Sequence, residues 1–587
     1  GKEGILERLQ YAEELIIQGK YEEALELANL LERDDLADED RLAVTLLKSR
    51  LFIQTDRPKR GLKLAEQIFE ESQRIRIPSI MIDALISMAT ALLRLDRLKE
   101  CLDAIKSSEN HLSAIHDNQF SFVERESTLK YLKGKVYRRK GELDLALRLL
   151  QDSLYVREEI GNSLLIADFL NEIGVIYASK GQFNLAMEHL QQSLAIFEEL
   201  RSKPNIIKVR NNIGMVYWQI GKLDQALESY YKCQILSEEL GNKRFAATLL
   251  LNIGLISYYK GELYSALDFY QQALTKFAEL DSKSEMATCY NNIAEIHVTR
   301  GDLDLALEFH RNGLAIAKEI GKKQEIASSL ANIGLVYEYK ADFEAASNYF
   351  SKSLKLYDQI GNSFDTCQIL TNLIRIAVLE GSLETARFFL KSLESIDQKE
   401  ENPLISQTYR LSKAIILKTS RKMINRAEAQ QLLQQIVEEE VKKHSVTIIA
   451  MLHLCELFLD EVRSYGNTDA FQGAKTIIQR IYPLAQAQHS FSLIIEVLIL
   501  QAKLALVDGN LIVAARFLDQ ARVTAEEKGL DLLAAKVLAE RQNLEDQYDT
   551  WQEFIQSNAP FQARLEQARL TKYLKNALKI ANMPSGY

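Results

Sequence analysis

Glycine returns every forty residues through the middle of this 587-residue chain. Gly141, Gly181, Gly221, Gly261, Gly301 and Gly381 stand at steps of forty or eighty, and Ala341 fills the one empty step. Five residues beyond each comes an alanine: Ala146, Ala186, Ala226, Ala266, Ala306, Ala346 and Ala386. Seven residues before each stands another small residue (Gly134, Gly174, Gly214, Gly254, Ala294 and Gly334), with Ile374 breaking the run. Tyr137, Tyr177, Tyr217 and Tyr337 follow three residues later. Around this frame the apolar positions recur at i, i+3, i+4 and i+7, the period of an amphipathic helix. Each repeat therefore reads as two helices, the first ending at a glycine able to take positive φ. The small residues let the two helices approach closely. One such hairpin cannot bury its apolar face alone, so the units must stack on one another.

Size and composition support a stack. A compact single core rarely grows past about 300 residues, whereas a solenoid has no such limit. There are only 7 prolines to interrupt helices, against 47% hydrophobic and 26% charged residues. The fold expected is all-α: a right-handed superhelical solenoid of about thirteen antiparallel helix hairpins with a C-terminal capping helix. Outside the regular block the copies are worn. Tyr11, Gly19, Tyr21 and Ala24 keep the frame, as do Gly61, Ala89 and Cys101, with Asp56 and Asp96 at the turns. Ala502, Gly509 and Ala514 restore it near the end. Strict register breaks near 106–125, 395–405 and 463–470. The expected division is 1–125 (degenerate N-terminal repeats), 126–395 (regular array), 396–530 (degenerate C-terminal repeats) and 531–587 (capping helices). In the last, 530–548 reads as one helix and 561–580 as another, after a turn at Pro560.

The Gly174, Tyr177, Gly181, Ala186 frame and its copies resemble the tetratricopeptide repeat (TPR) family. The forty-residue variant, with second helices ending in Glu238-Glu-Leu-Gly241 or Lys318-Glu-Ile-Gly321, is similar to the kinesin light chain and Pins-type scaffold subfamily. The tail bears a faint resemblance to those of archaeal repeat proteins. The resemblance implies a superhelix whose first helices line a concave groove. On each first helix, the groove positions are those three and two before the small residue and one, four and five after it, one stripe of a helix. Two before the small residue stand Asn212, Asn252, Asn292, Asn332 and Asn372. Asparagine costs about 0.5 kcal/mol in a helix interior relative to alanine, and its amide both donates and accepts. Such a ladder in the resembled subfamily grips the backbone of an extended peptide. The alternative is that the asparagines bond neighbouring helices and set repeat geometry. Glu172 and Leu132 depart from the pattern. Around the ladder, Asn211, Asn291, Trp218, Tyr258, Tyr259, Glu295, Tyr339 and Arg375 are the candidate partner-binding neighbours, with Met215 among them. Aromatic and arginine side chains dominate interface hot spots.

Catalytic signatures are absent: there is no GxxxxGK[ST], GxGxxG after a strand, HExxH or GxSxG motif. The eight histidines are scattered, and His453 and Cys455, two apart on a helix, point away from each other. The five cysteines are odd in number and more than thirty residues apart, which argues against disulfides and metal sites and for a reducing, cytoplasmic compartment. A net charge of −9 gives no overall attraction to nucleic acid or anionic lipid. No stretch of 18 apolar residues occurs, and residues 1–9 lack the apolar core of a signal peptide. The function expected is a scaffold that binds an extended peptide or helix of a partner protein, with no enzymatic activity, metal or cofactor. The alternative is a ligand-sensing regulatory repeat domain of a signalling or transcription-control system. The partners expected are a protein or peptide, without nucleic acid or membrane; self-association into a homo-oligomer stays open. The tail from 561 onward folding back into the groove is a further expectation.

Overall fold

The computed structural model describes residues 2–55, 57–95, 97–115, 119–140, 142–160, 163–400, 402–441 and 443–583. Asp56, Asp96, His116 and Gly141 lie outside the described residues, as does the tail beyond Met583. Among the described residues the chain forms thirty helices and no strand. The first twenty-six, from Lys2–Gln18 to Leu511–Glu527, follow one another as hairpins, two helices to each of thirteen. From Leu143–Ile160 to Leu383–Lys399 each helix runs 17 or 18 residues, as in Lys203–Gln219 followed by Leu223–Glu239.

The physical logic of the frame is visible at two positions. Gly181 has φ +73°, reversing the chain after the first helix of its hairpin, and Ala341 holds the same left-handed turn at φ 61°. The small residue in mid-helix makes room for the second helix: a Cβ on Gly214 would lie 2.6 Å from the Tyr230 ring. The same approach brings Leu190 against Gly174 and Phe350 against Gly334. Where alanine stands instead, at Ala294, the side chain sixteen residues on is the buried His310. The repeated tyrosine ties neighbouring hairpins: Tyr177 accepts from Gln151 at 3.1 Å and Tyr337 from Arg311 at 2.8 Å.

The chain divides into two compact units, 1–249 and 250–587. In the first, the opening helix Lys2–Gln18 packs on Lys203–Gln219. Ser202 Oγ donates to the Ile17 carbonyl at 2.7 Å, and a Cβ on Gly19 would meet Pro204 at 2.7 Å. The unit thus closes on itself across nearly two hundred residues.

The second unit also closes. Lys528 Nζ donates to the Lys260 carbonyl at 2.6 Å, and a Cβ on Gly301 would meet Leu532. Its largest core is built on Phe491–Val507, a helix apolar nearly all round and buried accordingly. The final segment is more broken than its pattern suggests. Asp531–Asp546 and Tyr548–Gln556 are separate helices, and Arg569, at φ 53°, divides Phe561–Ala568 from Leu570–Ala581. The break lets both pieces bury apolar faces, Leu565 and Ala568 on one side, Leu570, Leu574 and Ala577 on the other. Leu570–Ala581 turns back onto His444–Tyr465 and Phe491–Val507, covering the first helices of two earlier hairpins. Tyr573 anchors it, donating to the buried Glu540 at 2.7 Å.

Candidate functional site

In the second unit the stripe of candidate residues runs over the first helices Lys283–Arg300, Lys323–Tyr339 and Ser363–Leu379, and over the part of Lys243–Tyr259 that belongs to this unit. The ladder asparagines are half-buried there, and their bonding differs. Asn372 Oδ1 accepts from Arg375 Nη2 at 3.1 Å. Asn292 and Asn332 make no side-chain hydrogen bond among the described residues, and both line a cavity of about 210 Å³. Asn252 is half-buried on the same stripe.

Glu295, on the helix that carries Asn292, lines the same cavity. Burial pushes its carboxyl up to about 7, and no nearby cation offsets that cost. Across the cavity stands Glu325. One of its oxygens accepts from Lys322 Nζ at 3.1 Å and from Ser284 Oγ at 2.8 Å; Oε2 is buried without a partner. Tyr258 forms another wall and shares a 3.0 Å hydrogen bond with Thr299, on the Glu295 helix. Tyr259 packs edge-on against Tyr258, at 5.7 Å between ring centroids, and faces His489 at 6.5 Å. Asn291 also borders the cavity but is engaged between helices: its Oδ1 meets His310 Nδ1 at 3.0 Å. Burial holds that imidazole down at about 4, so it is neutral, and its Nδ1–H donates to the amide oxygen.

Arg375 and Tyr339 are engaged by residues 579–583 of the tail. Arg375 forms a two-pronged ion pair with Glu338, at 2.6 and 2.7 Å, and Nη1 donates to Asn582 Oδ1 at 3.1 Å. Lys579 Nζ lies 4.3 Å from the centre of the Tyr339 ring. Met583 packs against the core that holds Val298, Leu330 and Ile333. Residues 579–583 therefore lie along the same helix faces as the ladder.

The first unit carries the remaining candidates. Asn212 Nδ2 donates to Asn171 Oδ1 at 2.8 Å, a bond between neighbouring first helices of the kind that sets repeat geometry. Asn211 and Trp218 are half-buried, and Met215 is exposed. Glu172 stands where the ladder would place asparagine, and it is buried. Burial works to raise its carboxyl; Lys135, Arg138 and Lys208 more than offset that and hold it at about 2. Arg138 Nε donates to it at 3.2 Å.

Sequence reasoning passed over Glu325 and Ser328; it expected the tail from 561 onward to fold back but did not single out Lys579, Asn582 or Met583. Glu325 lies seven residues before Asn332, two turns along one helix face, so the stripe could have been extended to it. The turn at Pro560 pointed to a tail that folds back, but nothing in the order of its residues says which helices Lys579, Asn582 and Met583 will meet.

Residues 234–530, just over half of the chain, match the family described as the MalT-like TPR region. Residues 125–199 and 207–239 match two tetratricopeptide repeat families. No curated protein matches the sequence. Among solved structures, a Rap protein complexed with competence and sporulation factor is 17% identical at TM-score 0.47, over 63% of this chain and 99% of its own. The apo form of the quorum sensor NprR from B. thuringiensis is 15% identical at TM-score 0.43, over 61% and 99%. BtubC (BKLC) from P. vanneervenii is 20% identical at TM-score 0.31, over 38% and 92%.

Proposed function

Since this chain belongs to the tetratricopeptide repeat proteins with a MalT-like TPR region, we propose that it is a protein-interaction scaffold whose second unit holds an extended segment of a partner along the face of its first helices. The observation that carries this reading is the seating of the chain's own end on that face, through Lys579 on Tyr339, Asn582 on Arg375 and Met583 on the Val298 core. A face that accommodates one stretch of polypeptide has the shape and the mixed polar and apolar chemistry to accommodate another. Beside it, Asn292 and Asn332 offer unengaged amides, each able to donate to and accept from a peptide backbone. The partner segment competes with the tail near Arg375 and enters freely near Asn292. Deleting residues 579–587 is accordingly expected to tighten binding to this face; unchanged binding would remove the competition from the picture.

The test is affinity capture with the full-length protein beside an Asn292→Ala, Asn332→Ala double variant that keeps its helical circular dichroism. A protein held by the wild type and lost by the variant supports the reading. Equal retention by both moves the partner site off this face.

A second reading, a ligand-sensing regulatory repeat domain, is favoured by the MalT-like region. It predicts that ligand binding changes the protease sensitivity of the tail. A cleavage pattern that no captured ligand alters counts against it.

A further inference from the structure

The cavity beside the tail holds a chemical contradiction. It is lined by two carboxylates, Glu295 and Glu325, by the unengaged amides of Asn292 and Asn332, and by the Tyr258 ring. Carboxylates in such a place are ordinarily paired with a cation, because desolvating an unpaired one costs several kcal/mol. Here Lys322, the cation paired with Glu325, is committed to one oxygen of Glu325 and to Ser284. The other Glu325 oxygen is buried and has no partner. Glu295 has no hydrogen bond or ion pair on its side chain among the described residues, and burial alone shifts its titration. The tail does not resolve this, since Lys579 lies on Tyr339 and no tail residue lines the cavity.

We propose that this cavity is a pocket for a basic side chain, lysine or arginine, of the segment bound along the face. The assignment rests on the scaffold reading and gives it a specificity. An acidic or phosphorylated group would be repelled by both carboxylates. A small apolar side chain would leave the Glu325 oxygen and both amides without partners. A cation supplies what is lacking: several N–H donors for the Glu295 and Glu325 oxygens and the two amide oxygens, and a charge for the Tyr258 face. A volume of about 210 Å³ gives room for a long side chain and a few waters. The rest of the segment passes over the amides, which read backbone and not sequence. The pocket is therefore where the scaffold would discriminate among partners.

Binding to such a pocket needs Glu295 ionised, so affinity should rise with pH through the neutral range. Of the titratable groups that face it, the phenols of Tyr258, Tyr259 and Tyr270 are shifted upward by burial. His310, behind Asn291, is held down at about 4. Lys322 is already paired with Glu325. Among these, Glu295 is the group that titrates between pH 6 and pH 8.

The experiment is selection of a random dodecapeptide display library on the full-length wild type and on Glu295→Gln, both checked for folding by circular dichroism. Wild-type peptides should share lysine or arginine at one position. Replacing that residue by norleucine should weaken binding in fluorescence anisotropy tenfold or more for the wild type and less than twofold for Glu295→Gln. The wild-type affinity for the parent peptide should rise several-fold from pH 6 to pH 8, and the variant's should stay flat. Asn332→Ala, which keeps both carboxylates, should weaken all selected peptides and leave the preference for a basic residue intact. Wild-type peptides with no basic position, or a basic preference that survives Glu295→Gln, would overturn the pocket while leaving the scaffold reading standing. Failure of both proteins to select any peptide would overturn both.

Discussion

Two glutamates one unit apart show how the same helical stack makes a strut in one place and a vacancy in another. Glu172 in the first unit and Glu295 in the second both sit on first helices, on the stripe that faces across the repeats. Glu172 is ringed by Lys135, Arg138 and Lys208, and its carboxyl is held at about 2 in spite of its burial. The lysine beside it bears part of the cost: burial brings Lys135 down to about 8. Glu295 has no such ring and titrates at about 7. Repeats copied on one frame thus differ where a few side chains on adjacent helices change the local charge. Inside a protein it is the partner, and not burial by itself, that decides whether a carboxylate stabilises or strains the fold.

That contrast can be broken most severely at Glu172. Glu172→Ala leaves Lys135 and Arg138 without their carboxylate, while Lys208 keeps Asp168, and should destabilise the protein by about 3–5 kcal/mol, measured by urea denaturation of the first unit's transition. Because the folded pKa lies below the unfolded value of about 4.3, this stabilisation is full above that value and is lost as pH falls towards about 2. The gap between wild type and variant should close over the same window; a gap independent of pH would mean that packing, and not charge, is what Glu172 supplies.

Glu295 should behave in the opposite way. Its folded pKa lies above the unfolded value, so its contribution is favourable below about pH 4.3 and is lost as pH rises through about 7. Glu295→Gln should therefore stabilise the second unit by about 1–3 kcal/mol at pH 8, after allowance for its partial exposure, with the gain fading towards pH 4. Destabilisation at pH 8 would mean that Glu295 has a partner after all. A variant at once more stable and less able to bind is the usual mark of a strained functional group.

A smaller effect compares the turns. Ala341 in the second unit takes the left-handed conformation, φ 61°, that Gly181 takes in the first at φ 73°. Ala341→Gly should relieve that strain and stabilise by about 0.5–1 kcal/mol, read as a shift in urea midpoint. Gly181→Ala should lose a similar amount, and no change in either direction would mean that the turn is unstrained.

The least perturbing measurement uses the thiols. All five cysteines are free and buried, Cys101 and Cys233 in the first unit and Cys289, Cys367 and Cys455 in the second. Burial pushes Cys101 up to about 11 and Cys233, Cys289 and Cys367 up to about 12. None should react with a disulfide reagent in the folded state at pH 8. In rising urea, two thiols appearing before three, or three before two, would report which unit opens first; a single step of five would mean that the units unfold together.

Much of the fold was legible because the repeat states its own rule. Gly181 and Ala186 announce a turn and a close contact, and their copies announce the stack; thirteen hairpins follow. The pattern was less informative at the end. The stretch 561–580 has one helical period throughout, yet it bends at Arg569, and the bend lets Leu565 and Leu574 bury in the same core against Phe491–Val507. For the site, the period placed Asn292, Asn332 and Glu295 on one stripe. It could not tell them from Asn212 or Arg375, which look equally available and are engaged by Asn171 and by Glu338 and Asn582. Asn291 shows the same limit: a candidate by position, it is held by His310, nineteen residues away.

What the sequence by itself determined is everything that depends on neighbours in the chain: helix after helix, the left-handed turns, the small residues where helices cross, and the stripe of side chains on each first helix. These follow from backbone geometry and the helical period, which act over a few residues. What only the tertiary structure decided is the company each of those side chains keeps. Lys528 meeting Lys260, Asn582 meeting Arg375 and the lack, among the described residues, of an ion pair on Glu295 depend on how small rotations from one hairpin to the next accumulate over hundreds of residues. Electrostatic free energy varies steeply over the few ångströms so decided. The chemistry of the face is therefore set at a range that no local pattern reaches.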